Sequence, residues 1–249
     1  MPSRPGEPTD TYCFPSDMRL VVWNCAQALH KKFEALRGLE PDVAVVAECA
    51  RPEVMAAKDV YSTAPESRRA WVGDNRTKGL GVFTFGDYRV ASSKKGPAKT
   101  QYALHVGIEG PWRFDLLAMW TQAPGYVENA HAALDTYRDV LGSGRAVLAG
   151  DLNSSAKFDK EHTPNHSALV RRLEDEFEMV SAFHAATGIP QGDDRESPTH
   201  VHRLRKTKFH IDYAFIPSSW SLGEVEVGAG AAWGALSDHF PLVVEVDGG

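Results

Sequence analysis

Ala146-Val147-Leu148-Ala149 is a short, wholly apolar run that passes through Gly150 into Asp151, Leu152 and Asn153. Such a run, bounded by turn-prone and polar residues, reads as a buried strand and is far too short to cross a bilayer. Arg19 to Trp23 and Val43 to Ala47 are runs of the same kind, and Phe209 to Ile216, Gly223 to Val227 and Phe240 to Val246 add three more near the C-terminal end. Between them, Arg69 to Val72, Leu80 to Phe85, Tyr88 to Ser92, Tyr102 to Glu109 and Trp112 to Trp120 form a series of strands. The turns of that series carry Gly86-Asp87 and Gly110-Pro111, which favour antiparallel hairpins. Helical spacing over Ala28 to Leu39 puts Leu29, Phe33 and Leu36 on one face. Val127 to Leu141 reads as a helix ended by Gly142, and Ser167 to Glu176 as another whose Arg171, Arg172, Glu174, Asp175 and Glu176 form a solvated face. Strands separated by helices on an apolar sheet core predict a layered α/β protein.

The 249 residues contain no internal repeat, low-complexity tract or long linker, so one domain is expected over 18–249 behind a flexible lead-in at 1–17. A hydrophobic share of 43% and a charged share of 24% exclude global disorder. The net charge of -6, from 27 basic and 33 acidic residues, argues against non-specific coating of nucleic acid but leaves room for a local basic groove. Cys13, Cys25 and Cys49 are odd in number and form no CxxC pair, so neither a disulfide framework nor a zinc site is expected. Cys25 and Cys49 read as small buried apolar residues. Met1 to Pro8 has no apolar core of a secretory signal. A monomeric, cytoplasmic protein without integral membrane association is the expectation.

Residues two apart on a strand share a face. Leu20, Val22 and Asn24 then form one set, Ala44, Val46 and Glu48 a second, and Asp151 and Asn153 project together beyond a third run. Three apolar strands thus end in an amide or a carboxylate, and open α/β sheets bind ligands off strand ends. Taken singly, Asn24 fits a turn, Asp151 and Asn153 fit a helix cap, and Glu48 fits a pair with Arg51. Further on, Asp212 interrupts the apolar run Phe209 to Ile216, where a carboxylate needs partners because an unpaired buried charge is costly. Ser237-Asp238-His239 then places an acid and an imidazole together before the last strand. A carboxylate on one imidazole nitrogen fixes the tautomer and raises the basicity of the other.

Val22-Trp23-Asn24, Ala47-Glu48, Gly150-Asp151-Leu152-Asn153, His210-Ile211-Asp212-Tyr213 and Ser237-Asp238-His239 occur in this order. Together they resemble the endonuclease/exonuclease/phosphatase superfamily over about Leu20 to Val246. The resemblance implies a four-layer α/β/β/α sandwich with two mixed β-sheets and Mg²⁺- or Mn²⁺-dependent cleavage of a phosphoester by water. It makes Glu48 the main metal ligand, supported by Asn24 and Asp238. It has Asp151 orient or deprotonate the water, Asn153 hold a phosphate oxygen, His239 contact the phosphate and Asp212 orient His239. Carboxylate and amide oxygens suit Mg²⁺, and a phosphodiester needs its charge neutralised and an in-line water activated.

One position departs from the pattern. Where the deoxyribonuclease and phosphatase branches carry a His and the exonuclease III-type branch a Tyr, this chain has Trp120. An indole donates one hydrogen bond and is no acid near neutral pH. Trp120 fits either the core or a stacking surface for substrate. The stretch Pro198 to Lys208 is locally basic and leads into Asp212, so His200, Arg203, Arg205 and Lys208, beside Lys206, are candidate substrate contacts with Trp120. Lys94, Lys95 and Lys99 form a second basic turn that reads as solvated. His162 and His166 show no metal-binding spacing and are expected near the rim of the site. No phosphate-binding GxxxxGK[ST] loop, dinucleotide fingerprint or GxSxG elbow occurs. The expected activity is phosphodiester hydrolysis on DNA or RNA; hydrolysis of a small phosphorylated molecule or lipid headgroup, and a catalytically weak binding module, are the alternatives.

Overall fold

Apolar residues recurring at every second position need a partner sheet, and this chain supplies two. The computed structural model describes residues 17–58, 66–96 and 102–248, so 1–16 of the expected lead-in, Cys13 and Lys99 lie outside it. Among the described residues the strands are, in order, β1 (Met18–Asn24), β2 (Val43–Cys49), β3 (Arg69–Asn75), β4 (Lys78–Thr84), β5 (Arg89–Lys95), β6 (Ala103–Glu109), β7 (Arg113–Trp120), β8 (Ala146–Asp151), β9 (Met179–Ser181), β10 (His200–Val201), β11 (Lys208–Phe209), β12 (Asp212–Pro217), β13 (Ser221–Val227) and β14 (Leu242–Asp247). The helices are α1 (Phe33–Arg37), α2 (Pro52–Ala56), α3 (Tyr126–Thr136), α4 (Arg138–Leu141), α5 (His166–Phe177), α6 (Ala182–Thr187) and α7 (Gly230–Leu236).

One six-stranded sheet has the order β13-β14-β1-β2-β4-β3 and the other β5-β6-β7-β8-β12-β9. Each is mixed, with one parallel pair: β1 beside β2, and β7 beside β8. Leu20 and Val22, Val43 and Val45, Leu116 and Ala118, and Val147 and Ala149 all face into the core between the sheets. The opposite parity, Leu148, Tyr213 and Phe215, packs under α3, α4 and α5. Val21, Trp23, Ala44 and Val46 pack under α1, α2 and α7. The layers are therefore helix, sheet, sheet, helix, which is the expected four-layer sandwich. Cys25 and Cys49 are free and buried in the outer core, as read from the sequence.

Three elements differ from the sequence reading. The helix expected over Ala28 to Leu39 is broken: Ala28 takes positive φ, Leu29–Lys31 form a 3₁₀ turn, and Lys32 (φ -126, ψ 2) separates that turn from α1. Leu29, Phe33 and Leu36 still share the outer core. The helix expected over Val127 to Leu141 divides at Tyr137 (φ -110, ψ 23) into α3 and α4, with Gly142 ending α4. The strand expected over Phe209 to Ile216 is interrupted at His210 and Ile211. There the N–H groups of Ile211 and Asp212 both donate to Thr199 Oγ1 at 3.0 Å instead of to a neighbouring strand.

Among the described residues, no helix is long and apolar enough to cross a membrane.

Candidate active site

Both parallel pairs end at the same edge of the inter-sheet core, and that edge turns polar. Leu20 and Val22 face the core, so Asn24 at the end of β1 does too. Val147 and Ala149 likewise carry Asp151 inward at the end of β8. β12 runs antiparallel to β8 with Asp212 opposite Asp151, so its first inward residue arrives at the same place. Asn24, Asp151 and Asp212 are all buried.

Glu48 reaches the site by another route. Strict alternation along β2 sends Ala44 and Val46 to the outer core, and would send Glu48 after them. The register with β4 shifts between Ala47 and Cys49, and Glu48 has φ 59, so a bulge re-aims its side chain toward Asn24. The parity reading of Glu48 is thus corrected; the bulge brings its Oε1 to 3.5 Å from Asn24 Nδ2.

A row of polar contacts crosses the site. Lys78 Nζ lies 3.4 Å from Glu48 Oε1. Asn24 Nδ2 lies 3.5 Å from Glu48 Oε1 and donates to Asp151 Oδ2 at 2.8 Å. Asp151 Oδ2 is 4.0 Å from His239 Nε2, and His239 Nδ1 is 2.8 Å from Asp212 Oδ2. The loop carrying His239 is anchored from both sides. Ser237 Oγ accepts from His239 N–H and donates to the Asn24 carbonyl, and Trp23 Nε1 donates to the His239 carbonyl.

Burial controls the electrostatics. It raises the Asp151 carboxyl, and the Asp212 charge raises it further, to about 7 against the opposing effect of His239 and Asn24. Burial disfavours the imidazolium of His239, but Asp212 and Asp151 outweigh it and lift that group to about 9. The site thus pairs a carboxyl able to take a proton near neutrality with an imidazolium that stays charged.

Asn153 has φ 46; its N–H donates to Asp151 Oδ1 at 2.9 Å and its Nδ2 to the Thr121 carbonyl at 3.0 Å. Trp120 is inward-facing core on β7 opposite Asp151, packed on Tyr102 with ring centroids 5.0 Å apart. His200 pairs with His239 as an isolated bridge, and the two rings are 4.6 Å apart. Burial and the His239 charge lower His200 to about 4, so it is neutral beside a cation. Asp238 does not join the row: its Oδ2 pairs with Arg203 Nε at 3.1 Å. Arg203, Arg205 and Lys208 are exposed on the β10–β11 hairpin. His166 is not at the rim. It is buried against Tyr213, with Nδ1 bonded to Ser154 Oγ.

Two residues of this region escaped the sequence reading. Thr199 holds the backbone of Asp212, and Lys78 closes the row; its ammonium also lies 5.2 Å over the Trp120 ring. A lone Thr and a lone Lys after a turn carry no signal; only the pairing of β4 with β2 brings Lys78 to Glu48.

The carboxylate oxygens of Glu48 and Asp151 suit a hard divalent cation; Asn24 presents Nδ2 to both, while its Oδ1 accepts from the Ala26 N–H. One ligating atom each of Asp151, Asp212 and His239 also lies within 4.8 Å of the others. The 2.8 Å bond between Asp212 and His239 Nδ1 makes those two a hydrogen-bonded pair, so the Glu48 side of the row is the better cation site.

No family model matches the sequence, and no curated protein matches it. Solved structures do. A 3′ phosphatase, NExo from Neisseria, bound to a product DNA hairpin, is 16% identical, with a TM-score of 0.65 over 92% of this chain and 99% of that one. An endonuclease/exonuclease/phosphatase from Bacteroides vulgatus is 17% identical, with a TM-score of 0.67 over 93% and 99%. D. rerio TDP2, complexed with a single-strand DNA product, is 12% identical, with a TM-score of 0.66 over 93% and 99%. The chain has the fold of these structures.

Proposed function

We propose that this chain, built on the endonuclease/exonuclease/phosphatase fold, is a Mg²⁺- or Mn²⁺-dependent phosphoesterase. It hydrolyses phosphodiester bonds with an activated water, and its substrate is DNA or RNA. The observation that carries the proposal is the single row running from Glu48 through Asn24 and Asp151 to His239 and Asp212.

Glu48 and Asn24 would hold the cation, with the Asp238 carboxylate, now paired with Arg203, as a further ligand. When bound, the cation neutralises phosphate charge and polarises the phosphoryl group. The chain's own groups perform the remaining tasks. Asp151 takes the proton of the attacking water; its raised affinity for a proton suits that role. His239 keeps its charge and binds a phosphate oxygen through Nε2, while Asp212 fixes Nδ1 and the ring plane. Asn153, held in positive φ by its bond to Asp151, offers its remaining amide hydrogen to a second phosphate oxygen. His200 supports the His239 ring, and the exposed Arg203, Arg205 and Lys208 lie along the approach of a polyanion.

The nucleic-acid reading draws on that hairpin and on the DNA products in two of the similar structures. The competing reading, a small phosphorylated substrate, draws on the net charge of -6. The test is a substrate panel with Mg²⁺ and then Mn²⁺: single- and double-stranded DNA, abasic DNA, RNA, and small phosphomonoesters and diesters. Metal-dependent turnover of a nucleic acid, lost in Glu48→Gln and His239→Ala and weakened steeply by salt, is the expected result. Turnover confined to small esters with little salt dependence selects the competing reading. Silence across the panel overturns the phosphoesterase assignment, and activity surviving both substitutions overturns the assignment of the site.

A further inference from the structure

The proposed reaction leaves one task without an obvious residue. The bond from phosphorus to the leaving oxygen breaks on the side opposite the attacking water, and an alkoxide departs poorly unless it gains a proton or a strong hydrogen bond. Asp151 and His239 both belong to the water and phosphate side of the row. Trp120, opposite Asp151 on β7, donates one hydrogen bond at most and gives up no proton near neutral pH.

The other end of the row holds a cation. Lys78, the first residue of β4, is a half-exposed side chain whose Nζ lies 3.4 Å from Glu48 Oε1 and 5.2 Å above the Trp120 ring. A carboxylate and an aromatic face therefore hold the same ammonium from two sides. Tyr102 packs on Trp120 and keeps that face in place. From Lys78 to Asp212 the order of groups is cation, carboxylate, amide, carboxylate, imidazole, carboxylate, so the two cations flank the carboxylates at which water and divalent metal would act.

We propose that Lys78 is a catalytic residue that assists the leaving oxygen, with Trp120 as the positioning surface for its ammonium. This rests on the phosphoesterase reading. The bond between the water oxygen and phosphorus forms as the bond from phosphorus to the leaving oxygen breaks. The proton of the water passes to Asp151, and Lys78 Nζ gives one proton to the leaving oxygen. The resulting neutral amine recovers its proton from solvent. The same ammonium is the counter-charge of Glu48; a divalent cation held by Glu48 would take over that role and leave the ammonium free for the substrate.

The test compares wild type, Lys78→Met and Lys78→Arg on two thymidine phosphodiesters that differ only in the leaving alcohol, p-nitrophenol or methanol. Nitrophenolate departs unaided, whereas methoxide needs help. Lys78→Met should lower kcat/KM on the methyl ester by about 100-fold or more and on the nitrophenyl ester by less than about fivefold. Lys78→Arg keeps the charge but is a far weaker acid, and should fall between the two on the methyl ester. Free Mn²⁺ measured by electron paramagnetic resonance gives a readout without turnover: Lys78→Met should bind Mn²⁺ as tightly as wild type or several-fold tighter. Equal losses on both esters, no loss on either, or weakened Mn²⁺ binding in a variant whose circular dichroism matches wild type would each overturn the role of Lys78 alone. A wild type that turns over neither ester overturns the phosphoesterase reading beneath it.

Discussion

His239 Nδ1 lies 2.8 Å from Asp212 Oδ2, and both side chains are buried where β12 begins. The Asp212 backbone is held by Thr199 Oγ1, and the His239 backbone by Ser237 Oγ and Trp23 Nε1, so neither partner depends on the other for its position. A buried carboxylate that holds one imidazole nitrogen sets the tautomer and stabilises the cation at the other.

Asp212→Asn keeps the shape of this pair and removes its charge. It should lower kcat by about 10²- to 10⁴-fold, as loss of an orienting carboxylate does elsewhere. Because the two residues act together, Asp212→Asn combined with His239→Ala should be no slower than the slower single variant. Steady-state kinetics of the two single variants and the double variant checks this.

Glu48→Gln should abolish stabilisation by divalent cation. In wild type, Mn²⁺ at about 100 times its Kd should add about 2.7 kcal/mol to the unfolding free energy. The variant should show almost none of that gain, and a thermal melt with and without Mn²⁺ distinguishes the outcomes.

Gly150 joins the apolar run of β8 to Asp151 with φ 149, and a Cβ at that position would lie 1.8 Å from the Met119 carbonyl oxygen on β7. No rotamer relieves a clash between Cβ and backbone, so β7 and β8 would have to separate. Gly150→Ala should destabilise the fold by about 3 kcal/mol or more in urea unfolding. It should also impair the site, because Asp151 and the Trp120 pairing move with the strand.

Acid should weaken the fold through its neutral histidines. Burial lowers both His166 and His210 from 6.5 to about 4. Between those values the unfolded chain binds more protons than the folded one, so each contributes stability that is present above 6.5 and is lost as pH falls toward 4. Asp151, raised from 3.8 to about 7, acts in the opposite sense over much of that window, so a single-residue comparison isolates the effect. Between pH 7 and pH 5, wild type should lose about 2 kcal/mol more than His166→Gln does, measured by urea unfolding at each pH.

Much of this site is legible in the sequence because inward-facing apolar residues point to their successors. Leu20 and Val22 predict the direction of Asn24, and Val147 and Ala149 that of Asp151. Glu48 is different: the alternation of Ala44 and Val46 points it to the wrong face, and the bulge that corrects it is a property of pairing with β4, not of local sequence. Lys78 is illegible for the same reason, since its partners come from β2 and β7. The break between β11 and β12 depends on Thr199, twelve and thirteen positions before the N–H groups it accepts. Helices were readable where a hydrophobic face was long, as in α5, and not where φ departs from the helical range at Ala28, Lys32 or Tyr137.

The most direct measurement is Mn²⁺-supported hydrolysis of a single-stranded DNA oligonucleotide in ¹⁸O-labelled water, by wild type and by Asp151→Asn, with the products weighed by mass spectrometry. Attack of water on phosphorus predicts one ¹⁸O atom in the released phosphoryl group with wild type and a loss of product of about 10²-fold or more with the variant. Cleavage that leaves the phosphoryl group unlabelled, or that proceeds undiminished without the Asp151 carboxylate, would contradict it.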